Sequence, residues 1–80
     1  MTNQEIKDAF VKALIYGASS LTVSALGAAA VAAGIIDRGY CAKLLFQSKR
    51  MGGFSQTQSQ AWETYKKTGS IEEAFSVFFD

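Results

Sequence analysis

The sequence has no histidine, no proline and a single cysteine, Cys41. Without histidine there is no imidazole metal ligand and no imidazole acid–base chemistry. A lone thiol makes neither an internal disulfide nor a cysteine-rich zinc site. Proline removes a backbone donor and breaks helices. A proline-free, alanine-rich chain with few β-branched runs therefore reads as helical throughout, and the expected fold class is all-α. Charge is scarce as well. The net charge is +1, from eight Lys and Arg against seven Asp and Glu, so bulk charge does not suggest nucleic acid.

Catalytic constellations are missing for related reasons. Ser70, Glu72 and Glu73 lack a base, and adjacent helical carboxylates point about 100° apart, given the helical repeat. "MGGF" lacks the Lys and Ser/Thr of a phosphate loop. Cys41 stands near Arg38 and Lys43, which can lower a thiol pKa, but a buried structural thiol is the commoner case. No catalytic residue, cofactor or metal is expected, and the chain is read as a non-enzyme.

What is present is a chain of 80 residues, read as one domain over 1–80. A core this small is marginal and usually needs a staple. With disulfides and metals set aside, the staple is a membrane or partner subunits. The stretch Tyr16–Ile36, "YGASSLTVSALGAAAVAAGII", carries no charged residue and has the length of about 20 residues that crosses a bilayer.

Thr2 with Glu5 forms a capping-box pattern. Ile6, Phe10, Ala13 and Leu14 then recur at helical spacing, leading into the uncharged stretch without a breaker. These features predict one continuous helix over residues 3–36. The acid-containing, amphipathic start argues against a secretory signal peptide. Asp37 and Gly39 mark a bend, and residues 37–54 form a basic elbow and loop. A short helix there would put Tyr40, Cys41, Leu44 and Leu45 on one face, with Met51-Gly52-Gly53-Phe54 as loop. Residues 55–80 are read as two amphipathic helices folding back. Ala61, Trp62 and Tyr65 anchor the first, Gly69 ends it, and Ser70 with Glu73 opens the second. In the last helix Ile71, Ala74, Phe75 and Phe78 form the apolar face, widened by Val77 and Phe79. A single Trp–Tyr–Gly–Ala rhythm in this region is too short to be a repeat array.

Within the uncharged stretch Gly17, Ser20, Ser24, Gly27, Val31 and Gly34 alternate at steps of three and four. On a helix that pattern is a seam of small residues, which lets two backbones approach closely. Gly17, Ser20, Ser24, Gly27 and Gly34 are accordingly the candidate helix-packing residues. Leu21 and Leu26 are assigned to lipid or to looser packing. A buried central helix of a bundle would also be apolar all round.

Arg38, Lys43, Lys49 and Arg50 follow the uncharged stretch and are the candidates for contact with phosphate, whether lipid headgroup or nucleic acid. This placement suggests a cytoplasmic C-terminal part. Tyr40, Trp62 and Tyr65 are candidate aromatic anchors. In layout alone, an apolar helix followed by a basic bend and a returning helix resembles the small coat proteins of filamentous viruses and the pilins of conjugative pili. That layout implies stacked subunits with a basic ring facing nucleic acid or lipid.

The functional expectation is a self-associating, membrane-embedded structural subunit whose partners are copies of itself and membrane lipid. The alternatives are a coat or filament subunit of a virion or pilus with nucleic acid at the elbow, a holin-like pore-forming lysis protein, and a soluble helical interaction module.

Overall fold

The computed structural model describes residues 1–50 and 58–76, and among them the chain is all-helical. Five helices follow in order: α1 Asn3–Tyr16, α2 Ser20–Ala32, α3 Arg38–Arg50, α4 Gln58–Thr68 and α5 Ile71–Phe75. The Met51–Phe54 loop and the apolar residues Val77, Phe78 and Phe79 lie outside the described residues.

Thr2 starts α1 as its sequence pattern predicts. Its hydroxyl accepts the Glu5 N–H at 3.1 Å, and its own N–H donates to the Glu5 carboxylate at 2.9 Å. These bonds, the one from the Thr2 N–H foremost, hold the Glu5 carboxyl below the ordinary range. Phe10, Val11, Leu14 and Ile15 of α1 are all buried.

The single helix expected over 3–36 is not formed. It is broken into α1 and α2 at Gly17, whose φ of 90° and ψ of 146° end α1. Only glycine adopts that backbone region without a steric penalty. Two residues on, Ser19 restarts the helix, its hydroxyl accepting the Thr22 N–H at 3.2 Å. A glycine stop followed by a serine start outweighs the gain from continuing the helix, because α1 and α2 can then pack on each other. At the far end α2 also stops early. Gly34, at φ 75°, donates its N–H to the Val31 carbonyl at 3.0 Å, and the Ile35 N–H reaches back to Ala30 at 2.9 Å. This pair of bonds is a Schellman motif, so the bend falls at Gly34. Gly39 instead lies inside α3.

Asp37 opens α3 by accepting the Tyr40 N–H at 3.2 Å on its side chain and the Cys41 N–H at 2.9 Å on its carbonyl. Cys41 and Leu44 are buried, with Tyr40 and Leu45 partly so, as the sequence predicted for this face. Gly69, at φ 71°, ends α4, its N–H bonded to the Tyr65 carbonyl at 2.7 Å. The Ser70 hydroxyl accepts the Glu73 N–H at 3.2 Å and caps α5. The Ser70 N–H goes to the Thr68 hydroxyl at 3.2 Å, so a neighbouring threonine takes the place of the glutamate of a capping box.

The helices share one core. α1 packs on α2 and α4, α4 packs on α5, and α2 packs on α3. The Cα radius of gyration is 11.2 Å, close to the roughly 12 Å that a compact chain of this length has by size scaling. The long apolar helix expected from the sequence is thus replaced by short helices packed on one another.

Among the described residues, no helix is long and apolar enough to cross a membrane. α2, the least polar, has 13 residues. It is about 20 Å long at 1.5 Å per residue, short of the roughly 30 Å of a hydrocarbon core. The expected transmembrane helix is therefore not found, for the same reason that the long helix is not: Gly17 and Gly34 divide it.

Candidate self-association face

α2 has no charged residue, and apolar side chains lie all around it. A helix of that kind is ordinarily buried on every side. Here only Gly27 and Ala30 are buried, and Val23, Leu26 and Val31 are partly so. On the outward side Leu21, Ala25, Ala28 and Ala32 form an exposed row, flanked by exposed Ser24. Leu21 is 83% exposed. The sequence assigned Leu21 to lipid or to looser packing, but the row it heads was not singled out. Its spacing of four, three and four is visible in the sequence.

The five seam residues do not share one face. Gly17 and Gly34 sit in the turns that bound α2, each with open space where a Cβ would be. Ser20 and Ser24 are exposed on α2. Gly27 alone is buried, and it faces this chain's own helices: a Cβ there would lie 2.9 Å from Cys41 Sγ and 3.3 Å from Phe10 Cε1. The absence of a Cβ at Gly27 thus allows α1, α2 and α3 to meet. The one-stripe geometry depended on the continuous helix and falls with it.

Beside the outward row, α2 and α3 enclose an open groove of about 410 Å³. Ala28, Val31 and Ala32 line one wall, and Arg38, Ala42 and Leu45 line the other. Its floor includes Cys41, a free, buried thiol whose pKa is pushed up by burial. That shift is opposite to the lowering that the nearby basic residues suggested.

Arg38 and Lys43 are exposed on α3, and Lys49 and Arg50 belong to its last turn. The basic elbow is thus largely helix, and α3 contains no acidic residue.

The aromatic anchors do different work. Tyr65 is buried between α4 and α1, where its hydroxyl donates to the Asp8 carboxylate, which also accepts from the Gln4 amide at 2.8 Å. Burial and Asp8 both push the Tyr65 pKa up. Trp62 meets Tyr16 edge-on at 6.2 Å and Tyr65 at 5.5 Å, and the Lys12 ammonium lies 5.9 Å from its ring centre. Tyr40 is half-buried on α3, its pKa pushed up to about 12 by burial and, secondarily, by Glu72. Trp62 and Tyr65 therefore fasten α4 to α1.

Among the described residues, no group of three or more His, Cys, Asp or Glu side chains is placed to hold a metal ion. No family model, curated protein or solved structure matches this chain.

Proposed function

We propose that this chain is a non-enzymatic structural subunit that associates with copies of itself, and that the outward face of α2 makes the contact. The observation that supports this most is an uncharged helix lying on the surface with a row of apolar side chains turned outward. Contiguous exposed apolar surface marks contact sites more often than scattered single residues do. A small domain also gains most from a partner, since its own core is limited. Size-exclusion chromatography with light scattering, over a wide concentration range and with and without detergent, tests this. Concentration-dependent dimers or larger species in detergent-free buffer are expected. A monomer at every concentration would refute it.

A second reading rests on α3. A helix with basic but no acidic residues, beside an uncharged helix, has the composition of a surface that meets phosphate. Anionic headgroups and nucleic acid share that chemistry. Carbonate-resistant membrane fractionation, and pelleting as particles without detergent, separate a membrane-attached subunit from a coat or filament subunit. Dye leakage on expression tests the pore-forming alternative.

A further inference from the structure

The contact between α1 and α4 holds a polar cleft whose hydrogen-bonding groups are only half used. Tyr65 is buried, and its hydroxyl donates to Asp8 Oδ1. The Gln4 amide nitrogen donates to the same Oδ1 at 2.8 Å and to the Tyr65 oxygen at 3.3 Å. These bonds fasten α4 to α1 and fix the Asp8 carboxylate. They leave its other oxygen over. Among the described residues, Asp8 Oδ2, the Gln4 amide oxygen and the Lys66 ammonium have no hydrogen-bond partner. Gln4, Asp8, Trp62, Tyr65, Lys66 and Gly69 together line an open cleft of about 250 Å³. That is just under the roughly 300 Å³ at the small end of ligand pockets, so the cleft admits one ring of a ligand.

The unused groups select the chemistry of that ring. A cation only donates hydrogen bonds, and the positions it would take over the aromatic rings are filled by the chain itself. The Lys7 ammonium lies 5.9 Å from the Tyr65 ring centre, and the Lys12 ammonium 5.9 Å from that of Trp62. An anion only accepts, so it leaves Asp8 Oδ2 and the Gln4 oxygen unmatched and is repelled by the carboxylate. The lining itself balances one carboxylate against one ammonium. A neutral ligand that both donates and accepts fits all three groups. Hydroxyl groups do this with the least geometric demand, because each can rotate to donate or to accept. The donors and acceptors of a nucleobase are instead fixed in one plane. Beside the polar groups, Trp62 and Tyr65 stand 5.5 Å apart with their planes tilted by 33°. They form no slot for a stacked base, but they offer an apolar wall to C–H groups.

We propose that this cleft binds one neutral sugar ring. Its hydroxyls donate to Asp8 Oδ2 and the Gln4 amide oxygen and accept from Lys66, while a C–H face lies on Trp62. The site is independent of the self-association reading, since it lies on α1 and α4. With so few ligand atoms and an open cleft, the dissociation constant of a single sugar falls in the millimolar range.

The test is NMR titration of the full chain, read at the indole N–H of Trp62, its only tryptophan. The probes are neutral methyl glycosides of glucose, galactose, mannose and N-acetylglucosamine. Glucosamine, glucose 6-phosphate and adenosine serve as cationic, anionic and nucleoside comparisons. Saturable shifts are expected with at least one neutral glycoside, at lower concentration than with any comparison probe. Asp8→Asn keeps an oxygen for Tyr65 and Gln4 but turns the free acceptor into a donor. It should weaken that glycoside about tenfold, the loss expected for a hydrogen bond to a charged group. Lys66→Met, at an exposed position, should weaken it severalfold. Circular dichroism verifies helix content, and if Asp8→Asn loses it, Lys66→Met alone decides. No saturable shift with any neutral glycoside overturns the proposal. So does tighter binding of a charged probe or of adenosine, or glycoside affinity unchanged in the folded variants.

Discussion

At the scale of single residues, Gly27 decides how closely three helices approach. A Cβ at that position would sit 2.9 Å from Cys41 Sγ and 3.3 Å from Phe10 Cε1. Two effects oppose each other in Gly27→Ala. Alanine gains about 1 kcal/mol over glycine inside a helix, while overpacking a close contact costs typically 1–3 kcal/mol. With both Cys41 Sγ and the Phe10 ring edge inside ordinary contact distance of the added methyl, a net loss of about 1 kcal/mol is expected by urea denaturation. In a Cys41→Ala background the loss should vanish or reverse, giving a positive coupling in a double-mutant cycle. Equal effects in both backgrounds would show that the sulfur is not the obstacle. Tyr40 gives a second residue-scale test. Its pKa is pushed from 10 up to about 12 in the folded chain, so the native state favours the neutral phenol. The associated stability is fully present below pH 10 and is lost as pH rises through about 12. Unfolded chains release the Tyr40 proton first, so stability falls with rising pH in that window. Tyr40→Phe should flatten this fall relative to wild type when denaturation midpoints are measured between pH 9 and about 11.5.

At the scale of elements, the helix starts were largely legible, whereas the break inside the first helix was not. Thr2, Ser70 and Gly69 mark their boundaries with local chemistry that acts within one turn, and the structure uses each of them. The inward face of α3 was legible too, because Tyr40, Cys41, Leu44 and Leu45 contrast with polar neighbours. α2 offers no such contrast. Apolar on every side, its sequence does not tell which face turns inward, and that is decided by what α1 and α3 bring to it. Glycine is ambiguous in the same way. Gly17 and Gly27 look alike in sequence, yet the first ends a helix at φ 90° and the second lies mid-helix under Phe10. The candidate seam residues are not aligned on one helix for this reason, since they align only if every glycine is helical. Gly17→Ala tests the hinge directly. An L-residue in that backbone region costs about 1–3 kcal/mol, and nothing crowds the position, so the loss comes from the backbone alone. Gly17→Ala should lower stability by that amount in urea. A neutral result would mean that the chain reaches the turn by another backbone conformation.

At the scale of the whole molecule, two adjacent surfaces carry different chemistry. α2 is uncharged, while α3 holds Arg38, Lys43, Lys49 and Arg50 with no acid among them. Self-association and phosphate contact are therefore separable by salt. Apolar pairing through α2 carries no ion pairs to screen, and its affinity should change little between 50 and 300 mM salt, where the Debye length falls from about 14 Å to about 6 Å. Contact through α3 behaves oppositely. Each basic residue near an anionic membrane contributes about 1 kcal/mol, and binding to nucleic acid falls steeply with salt through counterion release. Replacing all four with Gln should abolish flotation with anionic vesicles, or retention of single-stranded nucleic acid, whichever wild type shows at low salt. The single variant Lys43→Gln, at a position outside the lining of the α2–α3 groove, should keep the wild-type self-association constant measured by light scattering. Vesicles and nucleic acid are assayed separately, so the partner that loses binding identifies the source of the phosphate. If the fourfold variant binds both as wild type does at every salt concentration, the basic residues of α3 serve only as solvated surface. If Lys43→Gln fails to self-associate while retaining its helix content, α3 belongs to the self-association contact, and the division of labour between the two helices is wrong.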